Sequence, residues 1–259
     1  MSPRVLVVEH ERGTGPGYVG DVLAESGLEL DLRRPYLGEA LPDDLADHHA
    51  LLVLGGSPNP YDDSATPWLA RVRSLIGEAL DREVPTLGIC LGGEILAMVA
   101  GGRVQPARDA VEVGLYPLVL TEAGRQDPLF GGLPQQVPAV EWHVEEIAGL
   151  PPGSVALCST ERFANQAFRV GACAWGTQFH PEVLTDMAAD WAEPESPEMR
   201  HAGVTRDALV AAVAAAEPEL RSAWGGLARR WAAVVVDRCG SAVPRPTEPG
   251  AAVGAGRPA

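Results

Sequence analysis

The sequence contains no lysine, and all twenty of its basic residues are arginines. Its 35 acidic residues bring the formal net charge at pH 7 to −15. Nucleic-acid binding requires a basic footprint, so this acidic balance argues against a nucleic-acid partner. The missing lysines accompany abundant alanine, glycine and proline, which indicates a compositional bias rather than a chemical requirement.

Long hydrophobic runs are missing as well. No apolar stretch approaches the length of a membrane span, and the alanine-rich candidates are interrupted by charged residues. The chain enters a strand pattern at Val5 without the layout of a signal peptide, so a cytoplasmic protein with no membrane partner is expected. The four cysteines have scattered spacings that form neither a disulfide framework nor a zinc motif: Cys90, Cys158, Cys173 and Cys239.

Apolar strand patterns alternate with helical patterns in the first hundred residues, which predicts an α/β fold with a mostly parallel sheet. The strand runs cover residues 5–9, 28–32, 50–54 and 85–88, and the helical runs cover 18–26 and 68–82. Beyond Gly101 and Gly102 come short runs separated by turns, which predict an antiparallel or mixed extension of the sheet. These runs cover residues 112–121, 136–142, 155–158, 165–170 and 172–179.

The carboxyl-terminal part has helical patterns followed by a segment of low complexity. Residues 205–236 are predicted to form one or two helices, interrupted near Pro218 and near Gly225 and Gly226. From residue 241 onward the chain is rich in proline, alanine and glycine, which is typical of a disordered tail. The expected division is therefore a main domain over residues 1–200, a helical extension over 201–240 and a tail over 241–259.

One stretch organises the rest: an apolar strand ends at Gly88, Cys90 follows, and Gly92 and Gly93 precede a helical pattern. Glycine permits tight turns and close backbone approach, so the pattern predicts a strand-to-helix elbow that presents Cys90 at the carboxyl end of the sheet. A helix amino terminus behind the cysteine favours the nucleophilic thiolate. A small buried cysteine in a core strand remains the alternative.

Two other strand ends carry chemistry-bearing residues. Gly55 and Gly56 end the third strand, where backbone N–H groups can face a ligand, although a plain surface loop explains them too. His180-Pro181-Glu182 ends the last strand-like run and suits a base held by a carboxylate, although it also fits an ordinary turn. The coincidence of all three features favours a catalytic site.

These motifs resemble the class I, triad-type glutamine amidotransferases, and in particular stand-alone proteins similar to the glutaminase domain of GMP synthase. The resemblance rests on GGSPNPYDD after the third strand, GICLGGE at the elbow and GTQFHPE at the last strand. DPLFGGLP and NQAFR support it. It spans roughly residues 5–182 and implies a flavodoxin-like, doubly wound sheet with a small antiparallel extension.

The resemblance also implies a reaction. Cys90 would attack a γ-glutamyl amide to give a thioester, His180 would transfer protons, and Glu182 would orient His180. Backbone N–H groups of Gly56 and Leu91 would hold the oxyanion, and each such donor is typically worth ~3 kcal/mol of the barrier. This chemistry requires no metal and no cofactor. Ammonia would be released, either to solvent or to a separate synthetase that accepts it.

The sequence departs from the family at the positions that hold the substrate. Glu94 stands where the family usually has glutamine, and an ionised carboxylate can only accept hydrogen bonds. The segment that reads Trp-His-Gly-Asp in the subfamily contains His143, Val144 and Glu145 here. Glu94, His143 and Glu145 are therefore the expected substrate-binding residues.

Three functions remain open: an ammonia-producing amidotransferase component, a free-standing hydrolase of γ-glutamyl amides or peptides, and a catalytically silent binding protein. A silent copy has no need of a complete Cys-His-Glu set, which disfavours the third.

Overall fold

The computed structural model describes residues 2–107, 111–192 and 196–240. The predicted disordered tail, residues 241–259, lies outside the described residues. The strands are β1 (Arg4–Val8), β2 (Glu29–Arg33), β3 (Ala50–Val53), β4 (Thr86–Ile89), β5 (Arg103–Pro106), β6 (Glu112–Leu120), β7 (Gln136–His143), β8 (Glu145–Gly149), β9 (Val155–Ser159), β10 (Ala167–Val170) and β11 (Ala174–Thr177). The helices are α1 (Gly17–Glu25), α2 (Leu69–Asp81), α3 (Leu91–Val99), α4 (Glu122–Gln126), α5 (Thr185–Trp191), α6 (Pro197–Ala202) and α7 (Arg206–Gly240).

Nine of the described strands form one sheet in the order β2-β1-β3-β4-β11-β10-β9-β6-β7. The first five are parallel to one another, and their order is that of a flavodoxin-like sheet. Strands β10, β9, β6 and β7 extend the sheet by antiparallel pairing. The predicted fold class, a doubly wound, mostly parallel sheet with an antiparallel extension, is confirmed.

The sheet buries both of its faces because its central strands are apolar along their length. In β1, Val5 and Val7 point into a core shared with α1 and α7, whereas Leu6 and Val8 point into a core shared with α2 and α3. This alternation follows from the two-residue period of a strand. Continuous apolar runs of this kind are typical of parallel strands covered on both sides.

The prediction of an interrupted carboxyl-terminal helix was wrong. Helix α7 runs unbroken from Arg206 to Gly240, with Pro218 inside it. Packing outweighs the local cost of a proline in a helix. Gly225 lies inside the helix at the point where α7 contacts α1. A Cβ at this position would lie 2.6 Å from the hydroxyl oxygen of Tyr18 on α1, so the close packing of the two helices requires a glycine here. Helix α7 therefore belongs to the main hydrophobic core, which its buried Trp224 and Trp231 help to fill.

Several described elements carried no clear sequence signal. Strands β5 and β8 form a separate two-stranded antiparallel sheet, although Glu145 at the start of β8 was expected only to hold substrate. The short helices α4, α5 and α6 were not predicted either. Each of them has at most seven residues, too few for a helical period to stand out. Helix α6 straddles the predicted domain boundary at residue 200.

The DPLFGGLP stretch owes its shape to one buried carboxylate. Oδ1 of Asp127 accepts hydrogen bonds from the backbone N–H groups of Leu129 and Phe130 and from Nε1 of Trp175. Oδ2 accepts a charge-assisted bond of 2.8 Å from Nε of Arg169. Asp127 therefore connects this loop to strands β10 and β11.

Candidate active site

Cys90 lies in a strained turn between β4 and α3. Its backbone has φ 50° and ψ −108°, a conformation that costs a non-glycine residue free energy and is maintained by its surroundings. A Cβ at Gly92 would clash with the carbonyl oxygen of Val53, and one at Gly93 would clash with that of Thr177. The two glycines therefore let α3 begin directly against β3 and β11, which forms the predicted elbow.

Cys90 is almost fully buried, with 6% of the residue exposed. Burial and the nearby Glu94 carboxylate raise the pKa of Cys90 well above its ordinary value, although a hydrogen bond from the backbone N–H of Leu91 acts in the opposite direction. The helix terminus alone was expected to favour the thiolate. Desolvation outweighs it here, so the surroundings of Cys90 favour the protonated thiol.

His180, the expected base, follows β11. Its Nδ1 lies 2.7 Å from Oε1 of Glu182, so the carboxylate orients the ring and fixes the tautomer with the proton on Nδ1. Nε2 is then the acceptor, and it makes no hydrogen bond within the described residues. The backbone N–H of His180 donates to the carbonyl oxygen of Val140 on β7, which fixes the position of the residue.

The histidine and the cysteine meet above Gly55. A Cβ placed on Gly55 would lie 2.8 Å from Cε1 of His180 and 3.5 Å from Cβ of Cys90. Trp191, at the end of α5, contacts the His180 ring edge-on, with 4.8 Å between the ring centroids. Nε1 of Trp191 donates to the carbonyl oxygen of Gly13, which fixes the indole. Sequence reasoning missed Trp191 because no motif surrounds it.

Glu94 is buried on the first turn of α3. Its Oε1 accepts a 2.8 Å hydrogen bond from Nε2 of Gln178, and that same nitrogen lies 3.9 Å from the sulfur of Cys90. Burial raises the pKa of Glu94, whereas the hydrogen bond from Gln178 acts in the opposite direction because it stabilises the carboxylate. Gln178 belongs to the GTQFHPE motif, but its contact with Glu94 had no signal in the sequence.

Gly56 and Leu91, the expected oxyanion donors, are neighbours across the cleft floor. A Cβ at Gly56 would lie 3.7 Å from the Leu91 side chain and 2.9 Å from Cβ of His10. His10 accepts a hydrogen bond at Nδ1 from the indole of Trp68, and burial lowers the pKa of His10 to about 4. It is therefore neutral at neutral pH and forms part of the wall that supports the Gly56 loop.

His143 and Glu145 lie at the junction of β7 and β8. Nδ1 of His143 is 2.6 Å from the carbonyl oxygen of Glu145, and Nε2 faces the buried carboxylates of Glu112 and Glu141. Both ring nitrogens of His143 are therefore directed into the protein. Oε2 of Glu145 has no hydrogen-bond partner within the described residues, although it is shielded from solvent.

These residues surround a cleft of about 580 Å³. Its lining includes Cys90, His180, Gly56, Glu94, His143 and Glu145, and it extends to Trp142, Trp191 and acidic residues near α5 and α6. Among the described residues that line it, five are acidic and one is an arginine, Arg12: the acids are Glu11, Glu94, Glu145, Asp190 and Glu198. The cleft therefore presents a strongly negative wall to any ligand.

A flavodoxin-like sheet with a cysteine turn at the carboxyl ends of its strands, and a histidine–glutamate pair beside it, is the arrangement expected of a class I glutamine amidotransferase. Residues 21–190 match the model of the family described as glutamine amidotransferase class-I. The chain belongs to this family.

Similar proteins include a glutamine amidotransferase-like protein, YfeJ, of Salmonella typhimurium, which is 30% identical over 71% of this chain and 77% of its own length. A GMP synthase of Porphyromonas gingivalis is 35% identical over 55% of this chain, but that match spans only 26% of the GMP synthase. Gamma-glutamyl peptidase 5 of Arabidopsis thaliana is 30% identical over 61% of this chain and 63% of its own.

Among solved structures, a glutamine amidotransferase from Thermotoga maritima has a TM-score of 0.81 and 27% identity, covering 90% of this chain and 99% of that one. Within the described residues, no helix combines the length and hydrophobicity needed to span a bilayer.

Proposed function

We propose that the chain hydrolyses a γ-glutamyl amide through a thioester on Cys90, with His180 as the proton carrier and Glu182 as the residue that orients it. The observation that carries this proposal is the meeting of a strained cysteine elbow and a carboxylate-bound histidine above Gly55. A structural cysteine in a core strand requires neither the strained turn nor the adjacent His–Glu pair.

The first half-reaction follows from the positions of these groups. The sulfur of Cys90 attacks the γ-carbonyl carbon while its proton passes to Nε2 of His180. The resulting oxyanion lies near the backbone N–H groups of Gly56 and Leu91 at the start of α3, where the helix amino terminus favours negative charge. His180 then gives its proton to the departing nitrogen, the C–N bond breaks, and the amine or ammonia leaves.

The second half-reaction restores the enzyme. His180 removes a proton from a water molecule, whose oxygen attacks the thioester carbon. The C–S bond breaks, the sulfur of Cys90 regains a proton, and glutamate is released. Glu182 stabilises the imidazolium in both halves and does not itself take the proton.

The acidic residues that line the cleft affect which substrates it can bind. Glu94 and Glu145 stand where the α-amino and α-carboxylate groups of glutamine must be held. A carboxylate binds an amino group well, but two like charges near the substrate carboxylate cost about a kcal/mol or more per pair at intermediate dielectric. The preferred substrate is therefore a γ-glutamyl amide whose leaving amine is positively charged or neutral, and free glutamine is a poor substrate for the isolated protein.

A second candidate function is ammonia supply to a separate synthetase. It is favoured by relatives described as subunits of a glutamine-hydrolysing GMP synthase. One of them, from Methanoregula boonei, is 30% identical over 60% of this chain and 78% of its own. In that case closure by a partner protein would activate the hydrolysis of free glutamine.

A substrate panel separates the two candidates. Release of glutamate and ammonia is measured with purified protein on glutamine, γ-glutamyl dipeptides and γ-glutamyl diamines, with Cys90→Ser as the inactive control. Turnover of γ-glutamyl amines by the protein alone supports the free-standing hydrolase. Activity on glutamine only after a synthetase is added supports the second candidate. Turnover that survives in Cys90→Ser would refute the nucleophile.

A further inference from the structure

Three buried titratable side chains stand at one end of the β6–β7 pair, and the proposed hydrolysis assigns no chemical step to them. Glu112 on β6 is in register with His143 on β7, and Glu141 lies two residues before His143. The two-residue period of a strand places all three side chains on the same face of the sheet. Their side chains are 0%, 1% and 0% exposed, in the order Glu112, His143 and Glu141.

The tautomer of His143 follows from its backbone contact. Nδ1 lies 2.6 Å from the carbonyl oxygen of Glu145, and a carbonyl can only accept a hydrogen bond, so Nδ1 carries the proton. In the neutral ring Nε2 then carries a lone pair. This lone pair faces Oε2 of Glu112 at 3.4 Å and Oε2 of Glu141 at 3.5 Å. All three atoms lie within 4.8 Å of one another and are acceptors when unprotonated, so either a proton or a metal ion must lie between them.

The spacing of these atoms fits a metal ion better than a hydrogen bond. N–H···O hydrogen bonds have donor–acceptor distances of about 2.7–3.2 Å. Tetrahedral zinc holds nitrogen and oxygen ligands at about 2.0–2.2 Å, which places neighbouring ligand atoms ~3.3–3.5 Å apart. We propose that Glu112, Glu141 and His143 form a buried zinc site, with a fourth position left for a water molecule.

The surroundings of the three residues support this assignment. Oε1 of Glu112 accepts a 2.8 Å bond from Thr160, and its Oε2 accepts a 2.7 Å bond from Gln166. His143 is oriented through Nδ1, as metal-bound histidines usually are. Both oxygens of the fully buried Glu141 lack hydrogen-bond partners in the described parts of the chain, and Oε2 is directed into the cluster.

A second cleft adjoins one member of the cluster, His143. This cleft has a volume of about 300 Å³, and Phe163 and Arg162 also line it. His143 lines both this cleft and the larger one that contains Cys90. Zinc would thus hold the β7–β8 junction in place, and with it Glu145, without taking part in the reaction. The cluster escaped sequence analysis because its ligands include no cysteine and come from strands separated by a long loop.

The test uses the untagged full-length protein. Zinc content is measured by elemental analysis, and affinity is measured by titration against a chromogenic chelator. One zinc ion per chain is expected, and X-ray absorption should show nitrogen and oxygen ligands at about 2.0–2.2 Å with no sulfur. Glu141→Gln keeps the shape of the side chain and removes its charge. It should weaken zinc binding by at least roughly 100-fold, beyond the 10–100-fold typical for loss of an outer-shell partner.

Glu9→Gln is the matched control, because Glu9 is also a buried carboxylate but is bonded to Tyr36 and Arg34 away from the cluster. Its zinc affinity should equal that of the wild type. If Glu141→Gln fails to fold, the wild-type stoichiometry and absorption spectrum still decide. Any one of three results would overturn the proposal: equal zinc affinity in the wild type and Glu141→Gln, a sulfur ligand in the spectrum, or less than one zinc ion bound per chain at saturation. A proton shared by the three side chains would then be the occupant. Because none of these readouts is catalytic, the zinc site can fail while the proposed hydrolysis stands.

Discussion

Gly55→Ala is the sharpest test of the active-site geometry. The new methyl group would lie 2.8 Å from Cε1 of His180, whereas ordinary contact begins at 3.4 Å, so the ring must retreat by about 0.6 Å. The ring is confined by its 2.7 Å bond to Glu182 and by the edge-on contact with Trp191, so it cannot retreat without weakening one of them.

The expected consequence is a loss of rate rather than of binding. A displacement of about 1 Å at a reacting group can cost about 100-fold in rate, so kcat should fall about 10- to 100-fold with little change in KM. Both constants are measured by glutamate release from the best substrate of the γ-glutamyl panel, and folding is checked by circular dichroism.

Gly77→Ala provides the control. Gly77 is inside α2, and the nearest atom to a Cβ there would be 4.0 Å away, so the methyl group fits without displacement. Its activity should match the wild type, and its free energy of unfolding should rise by about 0.5–1 kcal/mol because alanine favours the helix. A Gly55→Ala protein with wild-type kcat would refute the placement of His180 beside Cys90.

Four further predictions test separate parts of the structure. His180→Ala should lower kcat by orders of magnitude and Glu182→Gln by less, because an orienting residue contributes less than the base; equal losses in steady-state assays would contradict these roles. Glu94→Gln should lower KM for free glutamine, and an unchanged KM together with ordinary wild-type activity on glutamine would disprove the charge argument. The folded pKa of His10, about 4, lies below its unfolded value of 6.5, so the unfolded chain takes up the proton first and stability falls as the pH drops between these values. The free energy of unfolding, measured with urea, should fall by about 2–3 kcal/mol less in His10→Gln than in the wild type between pH 6.5 and pH 4. If the free energies of unfolding of the two proteins fall equally with pH, His10 is not held neutral by burial. Asp127→Ala leaves several donors unpaired and should cost about 3–5 kcal/mol in denaturant unfolding, with Asp127→Asn intermediate, whereas a loss under about 1 kcal/mol would show that the loop is held by other contacts.

Much of the parallel half could be predicted because its signals are local. Strands β1 and β3 are continuous apolar runs, and the glycines around Cys90 indicate a tight turn whatever lies beyond it. Helix α7 shows the opposite case. Pro218 and the paired glycines are local breakers, but burial of Trp224 and Trp231 in the core shared with the sheet keeps the helix continuous.

The candidate triad could be named from sequence because each of its members ends a strand in a recognisable motif. The residues that support it could not. Trp191 reaches His180 from a short helix without a motif, and Gln178 reaches Glu94 on α3 from the end of β11. Such contacts depend on how separate elements pack against one another, so the local sequence around each residue does not predict them.

The amino-acid sequence by itself determined the α/β class, the elbow at Cys90 and the motifs that mark the family, because those features rest on short-range periodicity and on glycine geometry. Only the tertiary structure decided the pKa shift of Cys90 and the grouping of buried charged side chains. Burial raises the pKa of Cys90 despite the helix terminus behind it, and the β6–β7 register brings Glu112, Glu141 and His143 together. Desolvation and cross-strand proximity are properties of the packed chain, so they emerge only when distant segments meet.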